Sequence, residues 1–206
     1  QKQQDKIWEG YQKVFQEMLP TIVAENSQSA YWESSPKFGR GNPKHQFEGD
    51  AHYWGVWHDA EPFENLETKV PRFMSEFGFQ SFPQLSTIAT FADSLNWDLN
   101  SAVMQKHQKH PRGNSLITEY MTREFNVPKD FRKFVYASQI LQANGMRIGL
   151  ESHRRNQPYC IGTLYWQLND CWPVTSWSAI DGYGRLKPLW YAMRAAYAPH
   201  LLTIQP

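Results

Sequence analysis

Residues 73–80 read FMSEFGFQ, and a single carboxylate, Glu76, stands among Phe73, Met74, Phe77 and Phe79. Burying an unpartnered carboxylate is costly, because its charge must leave water. Two readings follow from the run alone. Either Glu76 points outward from an edge strand, or the fold holds it inside for its chemistry.

The surrounding chain gives the run a context. Pro71 suits a strand start, so 72–77 reads as a strand. Three further short apolar runs read as holding strands as well: AYWES at 30–34, AHYWGVWH at 51–58, and CIGTLYWQLND at 160–170, which reads as a strand and its exit loop. Helical periodicity appears between and around them. Ile7, Trp8, Tyr11, Val14, Phe15, Met18 and Leu19 recur at three and four over 5–19, and Pro20 suits a further helical turn. The segment from 84 to 156 is mainly helical. Its longest stretch, from Asp130 to Arg155, carries Phe131, Phe134, Val135, Ile140, Leu141 and Ile148 on one stripe, interrupted by Gly145 and Gly149. KPLWYAMRAAYA closes the chain as a helix. Strands alternating with helices predict a parallel sheet with crossover helices.

Composition narrows the function classes. The chain has 206 residues and a formal net charge of +1, with no basic stripe, so nucleic acid is not an expected partner. No apolar run is long enough to span a bilayer, so no membrane partner is expected. The opening QKQQDKIWEG lacks the regions of a signal peptide, and the compartment stays open. Two cysteines, Cys160 and Cys171, make neither a disulfide framework nor a metal signature and read as free. His107 and His110 share a helical spacing without an acidic ligand beside them, and read as a solvated helix face. Aromatic residues make up 15%, with nine Trp. That suggests either a sugar-binding surface or an aromatic-rich core, and composition does not choose between them.

Polar and aromatic residues cluster where three of the strands end: HYWGVWH, SEFGFQSFP and YWQLNDCWPVTSW. In a (β/α)8 barrel those ends line the active site. A carboxylate at one end with aromatic groups at its neighbours fits a glycoside hydrolase.

FMSEFGFQSFP, followed downstream by GTLYWQLNDCWPVTSWSAIDGYGRLKP and preceded by AHYWGVWHDAEPFENL, resembles the β-mannosidases of glycoside hydrolase family 2. The resemblance covers essentially the whole chain. It implies an α/β fold: the C-terminal half, strands five to eight, of a (β/α)8 TIM barrel, with a helical insertion between strands seven and eight. Residues 1–206 would then form one partial catalytic domain. Glu76 matches the family's nucleophile. The acid/base Glu follows an Asn in that family, and no such pair is correctly placed here. Glu25-Asn26 has the reverse order, and the acid/base is expected upstream of Gln1. The partners implied are a β-mannoside oligosaccharide, the missing N-terminal half-barrel and β-sandwich domains, and a second copy of the chain through its unpaired edges. No cofactor or metal is implied.

The remaining candidates concern the sugar. Trp166, at the exit of the last strand, would floor the −1 site. Asn169 and Asp170 would bond hydroxyls or cap their loop. Only one parity of 51–58 faces the barrel mouth, and His52 with Trp54 is preferred over Tyr53 with Trp57. Gln80 and Trp32 complete the candidate set, with Trp172 and Trp177 as an outer wall or as loop packing. Rival readings are another family 2 β-glycosidase, such as a β-galactosidase or β-glucuronidase, and a non-catalytic barrel fragment.

Overall fold

The computed structural model describes residues 2–204. The chain opens with α1 (Lys2–Tyr11), widens to a π-helical stretch over Gln12–Met18 and continues as α2 (Leu19–Asn26). The helix expected over 5–19 thus runs on to Asn26. Pro20 lies inside this run, two residues beyond the π-helical stretch. No residue of this helical arm is buried. Its apolar stripe, including Ile7, Trp8, Phe15, Met18 and Ile22, faces solvent.

Two short strands organise the body. β1 (Ala51–His52) pairs in parallel with β2 (Met74–Glu76), Ala51 opposite Met74 and His52 opposite Glu76, with an irregularity between the two pairs. On the other side of β2, Met74 bridges in parallel to Thr163. Backbone bonds extend that contact: Ile161 N to Arg72 O at 2.8 Å, Met74 N to Gly162 O at 3.0 Å, and Leu164 N to Met74 O at 2.7 Å. Three parallel segments therefore lie side by side, with the Glu76 segment in the centre.

The strand expected over 51–58 stops at His52, and α3 (Gly55–His58) forms a helical turn in its place. Of the strand and exit loop expected within 160–170, the strand is reduced to the bridge at Thr163 and its flanking bonds. The stretch 30–34, also expected as a strand, is irregular. A strand needs a backbone partner. This stretch is instead tied to the start of β1 by side chains: Trp32 Nε1 donates to Asp50 Oδ1 at 3.3 Å.

Helices supply the rest. α4 (Asn65–Thr68) precedes β2. Between β2 and the third segment come α5 (Leu85–Ile88), α6 (Ala102–Lys106), α7 (Gly113–Glu124) and α8 (Phe131–Arg155), the helical stretch anticipated there. Asp130 caps α8 by accepting from Lys133 N at 2.9 Å. α9 (Pro188–Ala196) packs on α8.

The core is strongly aromatic. Phe79 meets Trp57, Phe63 and Tyr120 at centroid separations of 5.0, 5.0 and 4.8 Å, in edge-on geometry. α8 turns Phe134, Val135, Leu141, Met146 and Leu150 inward. Gly145 breaks the apolar stripe for a packing reason: a Cβ there would lie 2.1 Å from the Phe63 ring. The aromatic-rich core is therefore realised. Many rings fill the core, while Trp32, Trp166 and Trp172 stay exposed.

His107 and His110 do not form a solvated helix face. α6 ends at Lys106, so helical spacing no longer relates them. His107 stacks on Phe91 at 3.7 Å, with Nδ1 2.6 Å from Pro173 O, and His110 packs against Trp57. Cys160 is buried and Cys171 exposed, both as free thiols. Among the described residues, no helix is long and apolar enough to cross a membrane.

Candidate active site

Glu76 closes β2, the central segment, and its side chain is 25% exposed. Two neighbours reach one of its oxygens. The Trp54 indole donates through Nε1 to Oε2 at 3.2 Å, and His52 Nδ1 lies 3.3 Å from the same atom. His52 and Trp54 thus share the side facing the carboxylate. Tyr53 points elsewhere, into a close hydrogen bond with Glu61, which also accepts from Asn65 Nδ2 at 2.9 Å. Burial and the Glu61 charge raise the Tyr53 phenol well above its ordinary range. The Tyr53 and Asn65 bonds hold Glu61 below the usual carboxylate range. Trp57 is fully buried.

The bend after β2 brings the third segment against the site. Trp166 N donates to Phe77 O at 2.9 Å. The Trp166 carbonyl passes so close to Gly78 that a Cβ there would stand 2.4 Å from it, so only glycine fits. The Trp166 ring is 42% exposed. Trp177 meets Trp54 edge-on at 6.2 Å, which links the last loop to the Glu76 cluster.

The other candidates scatter. Trp32 is half exposed beside the cluster, with Lys37 Nζ 4.9 Å from its ring centre. Asn169 is exposed on the exit loop. Asp170 is nearly buried and accepts from Ser176 Oγ at 2.7 Å, Ser178 Oγ at 2.6 Å and Gln167 Nε2 at 3.1 Å. Those bonds organise its own loop. Gln80 is fully buried, accepting from Gln108 Nε2 at 3.0 Å, and so lies off the surface around Glu76. Trp172 stands apart, near His107 and Lys109.

A cavity of about 170 Å³ abuts the cluster, bounded by His52, Trp54, Tyr53, Glu61, Arg40 and Lys69 among others. It is smaller than the roughly 300–1,000 Å³ of a complete ligand pocket. His58 packs against Trp54, and His110 against Trp57 and Trp177, with His110 Nε2 3.4 Å from His58 Nδ1. Arg112 N donates to His110 Nδ1 at 3.2 Å, so Nε2 carries the hydrogen and points it at His58. That tautomer pairs the rings with each other and leaves no two lone pairs for a metal. Among the described residues, no group of three or more His, Cys, Asp or Glu is disposed to hold one.

Known proteins resemble this chain in sequence and fold. β-Mannosidase B of Aspergillus niger is 33% identical over 192 residues, which is 90% of this chain and 23% of that protein. The Aspergillus clavatus β-mannosidase B is 34% identical over the same shares. The crystal structure of the β-D-mannosidase from Dictyoglomus thermophilum matches with a TM-score of 0.89 and 36% identity, covering 95% of this chain and 24% of that one. The chain is a homologue of the β-mannosidases. It spans less than a quarter of the length of these relatives. An exo-chitosanase from Amycolatopsis orientalis shares the fold over 68% of the chain, with a TM-score of 0.59 at 22% identity. No family model matches the chain.

One member of the cluster in this β-mannosidase homologue escaped the sequence reading. Asp50 accepts from Ser35, Ser75, Lys37 and Trp32. The signal available was its place two residues before His52, which puts both on one side of an extended chain.

Proposed function

We propose that this chain is part of the catalytic domain of a retaining exo-β-mannosidase of glycoside hydrolase family 2, contributing strands five to eight of a (β/α)8 barrel. The observation that carries the reading is the Glu76 carboxylate at the end of the central parallel segment, with Trp54 Nε1 and His52 Nδ1 both on Oε2. In this reading Glu76 attacks the anomeric carbon of a terminal β-D-mannose. The C–O bond to the aglycone breaks as the bond to Glu76 forms, giving a glycosyl ester that water then hydrolyses. The Trp54 N–H steadies the carboxylate oxygen and aims the other oxygen at the sugar. Trp166 and Trp32 offer flat apolar faces to pyranose rings.

Retention needs a second carboxyl group about 5–5.5 Å away, as acid and then as base. Asp50 is the other carboxylate drawn to the cluster, and it is unsuited to that task. Four hydrogen-bond donors outweigh its burial and hold it below the ordinary carboxylate range, whereas a general acid needs a raised one. As the family resemblance implies, the acid/base in this reading belongs to a part of the enzyme outside this chain, and the chain alone is expected to turn over no β-mannoside. Release of terminal mannose, in preference to galactose or glucuronic acid, follows the relatives' names.

The test uses the full-length protein carrying this segment. Aryl β-mannoside should be its best substrate among aryl β-glycosides, and an activated fluoro-sugar should label Glu76. Glu76→Gln should abolish turnover and labelling while the melting temperature stays close to wild type. Labelling of a different residue, or a preference for aryl β-galactoside or β-glucuronide, would overturn the assignment.

A further inference from the structure

Asp50 stands just before β1, and its side chain is only 13% exposed. Both of its oxygens are fully engaged. Oδ2 accepts from Ser35 Oγ at 2.5 Å and from Ser75 Oγ at 2.6 Å. Oδ1 accepts from Lys37 N at 3.0 Å and from Trp32 Nε1 at 3.3 Å. These donors come from two places. Three belong to the irregular stretch 32–37, and the fourth is the residue immediately before Glu76.

The bonds also dictate how His52 presents itself. A serine hydroxyl has one hydrogen, and Ser35 gives its hydrogen to Asp50. Toward His52 Nε2, 3.2 Å away, Ser35 Oγ can therefore only accept. Nε2 must carry a hydrogen and point it at Ser35. The ring is fixed in its plane by that bond, and Nδ1, 3.3 Å from Glu76 Oε2, can bond that oxygen only by carrying a hydrogen as well. Asp50 Oδ2 is itself 3.9 Å from Nε2, too far for a direct bond, so the serine is the intermediary.

We propose that Asp50 is a positioning residue for the hydrolytic centre: its one carboxylate ties the strand of Glu76 to the stretch 32–37, and so holds the Trp32 ring and the orientation of His52 around the nucleophile. This rests on the reading of Glu76 as nucleophile. A second negative charge this near an ionised nucleophile works against it electrostatically. Its placement makes sense where four donors absorb the charge and geometry is gained in return. The lowered acidity range of Asp50 agrees with a carboxylate kept ionised as an acceptor.

Asp50→Asn and Asp50→Ala in the full-length protein separate the two tasks. Asparagine keeps one oxygen for Lys37 N and Trp32 Nε1, but puts an amide where two serine hydroxyls now donate. Ser35 must then turn its hydrogen elsewhere, and His52 loses its fixed partner. Labelling of Glu76 by an activated fluoro-sugar, followed by intact mass, gives a maximal rate and a half-saturating concentration. NMR of the His52 ring nitrogens shows which of them carry hydrogen. Asp50→Asn is expected to slow maximal labelling by roughly tenfold or more, to leave half-saturation within about twofold, and to shift the His52 Nε2 resonance as its Ser35 partner is lost. Asp50→Ala should also raise the half-saturating concentration, because Trp32 is released. Wild-type labelling kinetics with an unchanged His52 spectrum in Asp50→Asn would overturn the proposal. So would slow labelling with an unchanged His52 spectrum and a loss of folded protein large enough to explain it. Asp50→Asn decides the matter if Asp50→Ala does not fold. Labelling of wild-type protein at another carboxylate would overturn the nucleophile reading, and this proposal with it.

Discussion

Lys187 is fully buried at the start of α9, and no carboxylate lies within ion-pair distance of it among the described contacts. Its Nζ donates to Ser81 O at 3.4 Å and Ser176 O at 3.3 Å, the two residues that bridge the segment after Glu76 to the loop carrying Trp177. Burial pulls its pKa from the ordinary 10.5 down to about 7, against the milder pull of Asp170 and Asp181. The folded value lies below the unfolded one. Between the two, the unfolded chain therefore binds more protons than the folded protein, and stability rises with pH. The cost of charging the buried amine is full below pH ~7, and is lost progressively as pH rises toward ~10.5. At about 1.4 kcal/mol per pH unit for one proton, the gain from pH 6 to pH 9 comes to roughly 2–3 kcal/mol, the curve flattening near pH 7. Lys187→Met removes this dependence with little change of volume. It also strands no carbonyl, because Ser81 and Ser176 still bond each other's backbones at 2.9 and 3.2 Å. Urea unfolding of both proteins across pH 6–9, at one fixed concentration, measures the difference, in which every other titrating group cancels to first order. The wild type should gain on the variant by roughly 2–3 kcal/mol as pH rises through that window. Parallel pH profiles would refute the reasoning and place a charged Lys187 in the fold throughout.

Two further outcomes are expected. Trp166→Ala in the full-length protein should lower kcat/KM by roughly tenfold or more, as loss of an aromatic platform worth about 1–3 kcal/mol would do, with a melting shift too small to account for it; a sharp fall in melting with normal kcat/KM in the folded fraction would make Trp166 a packing residue. The chain by itself should self-associate at micromolar concentration, because the apolar stripe of α1 and α2 is uncovered and, among the described residues, β1 bonds a backbone neighbour on one side only; a sharp monomer in light scattering with cooperative unfolding would contradict this.

What the sequence made legible follows from the range of the forces involved. α8 was readable because its stripe, its Asp130 cap and its length are all local signals, and Phe131–Arg155 follows them closely. FMSEFGFQ was readable because one carboxylate in an apolar run demands a reason, and Glu76 indeed meets an indole N–H and an imidazole. The strand boundaries were less legible. AHYWGVWH has the β-branched and aromatic content of a strand, but the bonds from Asp59 N and Glu61 N back to Gly55 O close a turn that alternation does not announce. AYWES has the same content and no ladder, because propensity cannot supply a neighbour.

The least legible feature is also the one on which the site's geometry most depends. Asp50 gathers a serine 15 residues before it, a serine 25 residues after it and an indole 18 residues before it. None of these spacings belongs to a helix or a strand, so no periodicity marks them. Each donor taken alone is an ordinary exposed or half-buried polar side chain. They converge only once β1 and β2 are in register, with His52 opposite Glu76 and Ser75 therefore beside Asp50. The order of causes runs from pairing to site. The apolar and backbone contacts that set the register are spread along the chain and can be read coarsely from it. The register then fixes which hydroxyl reaches which carboxylate, and so which nitrogen of His52 faces Glu76. A one-residue slip of β1 would turn Asp50 and His52 to the other face together, leaving Glu76 with neither its imidazole neighbour nor the clamp behind it.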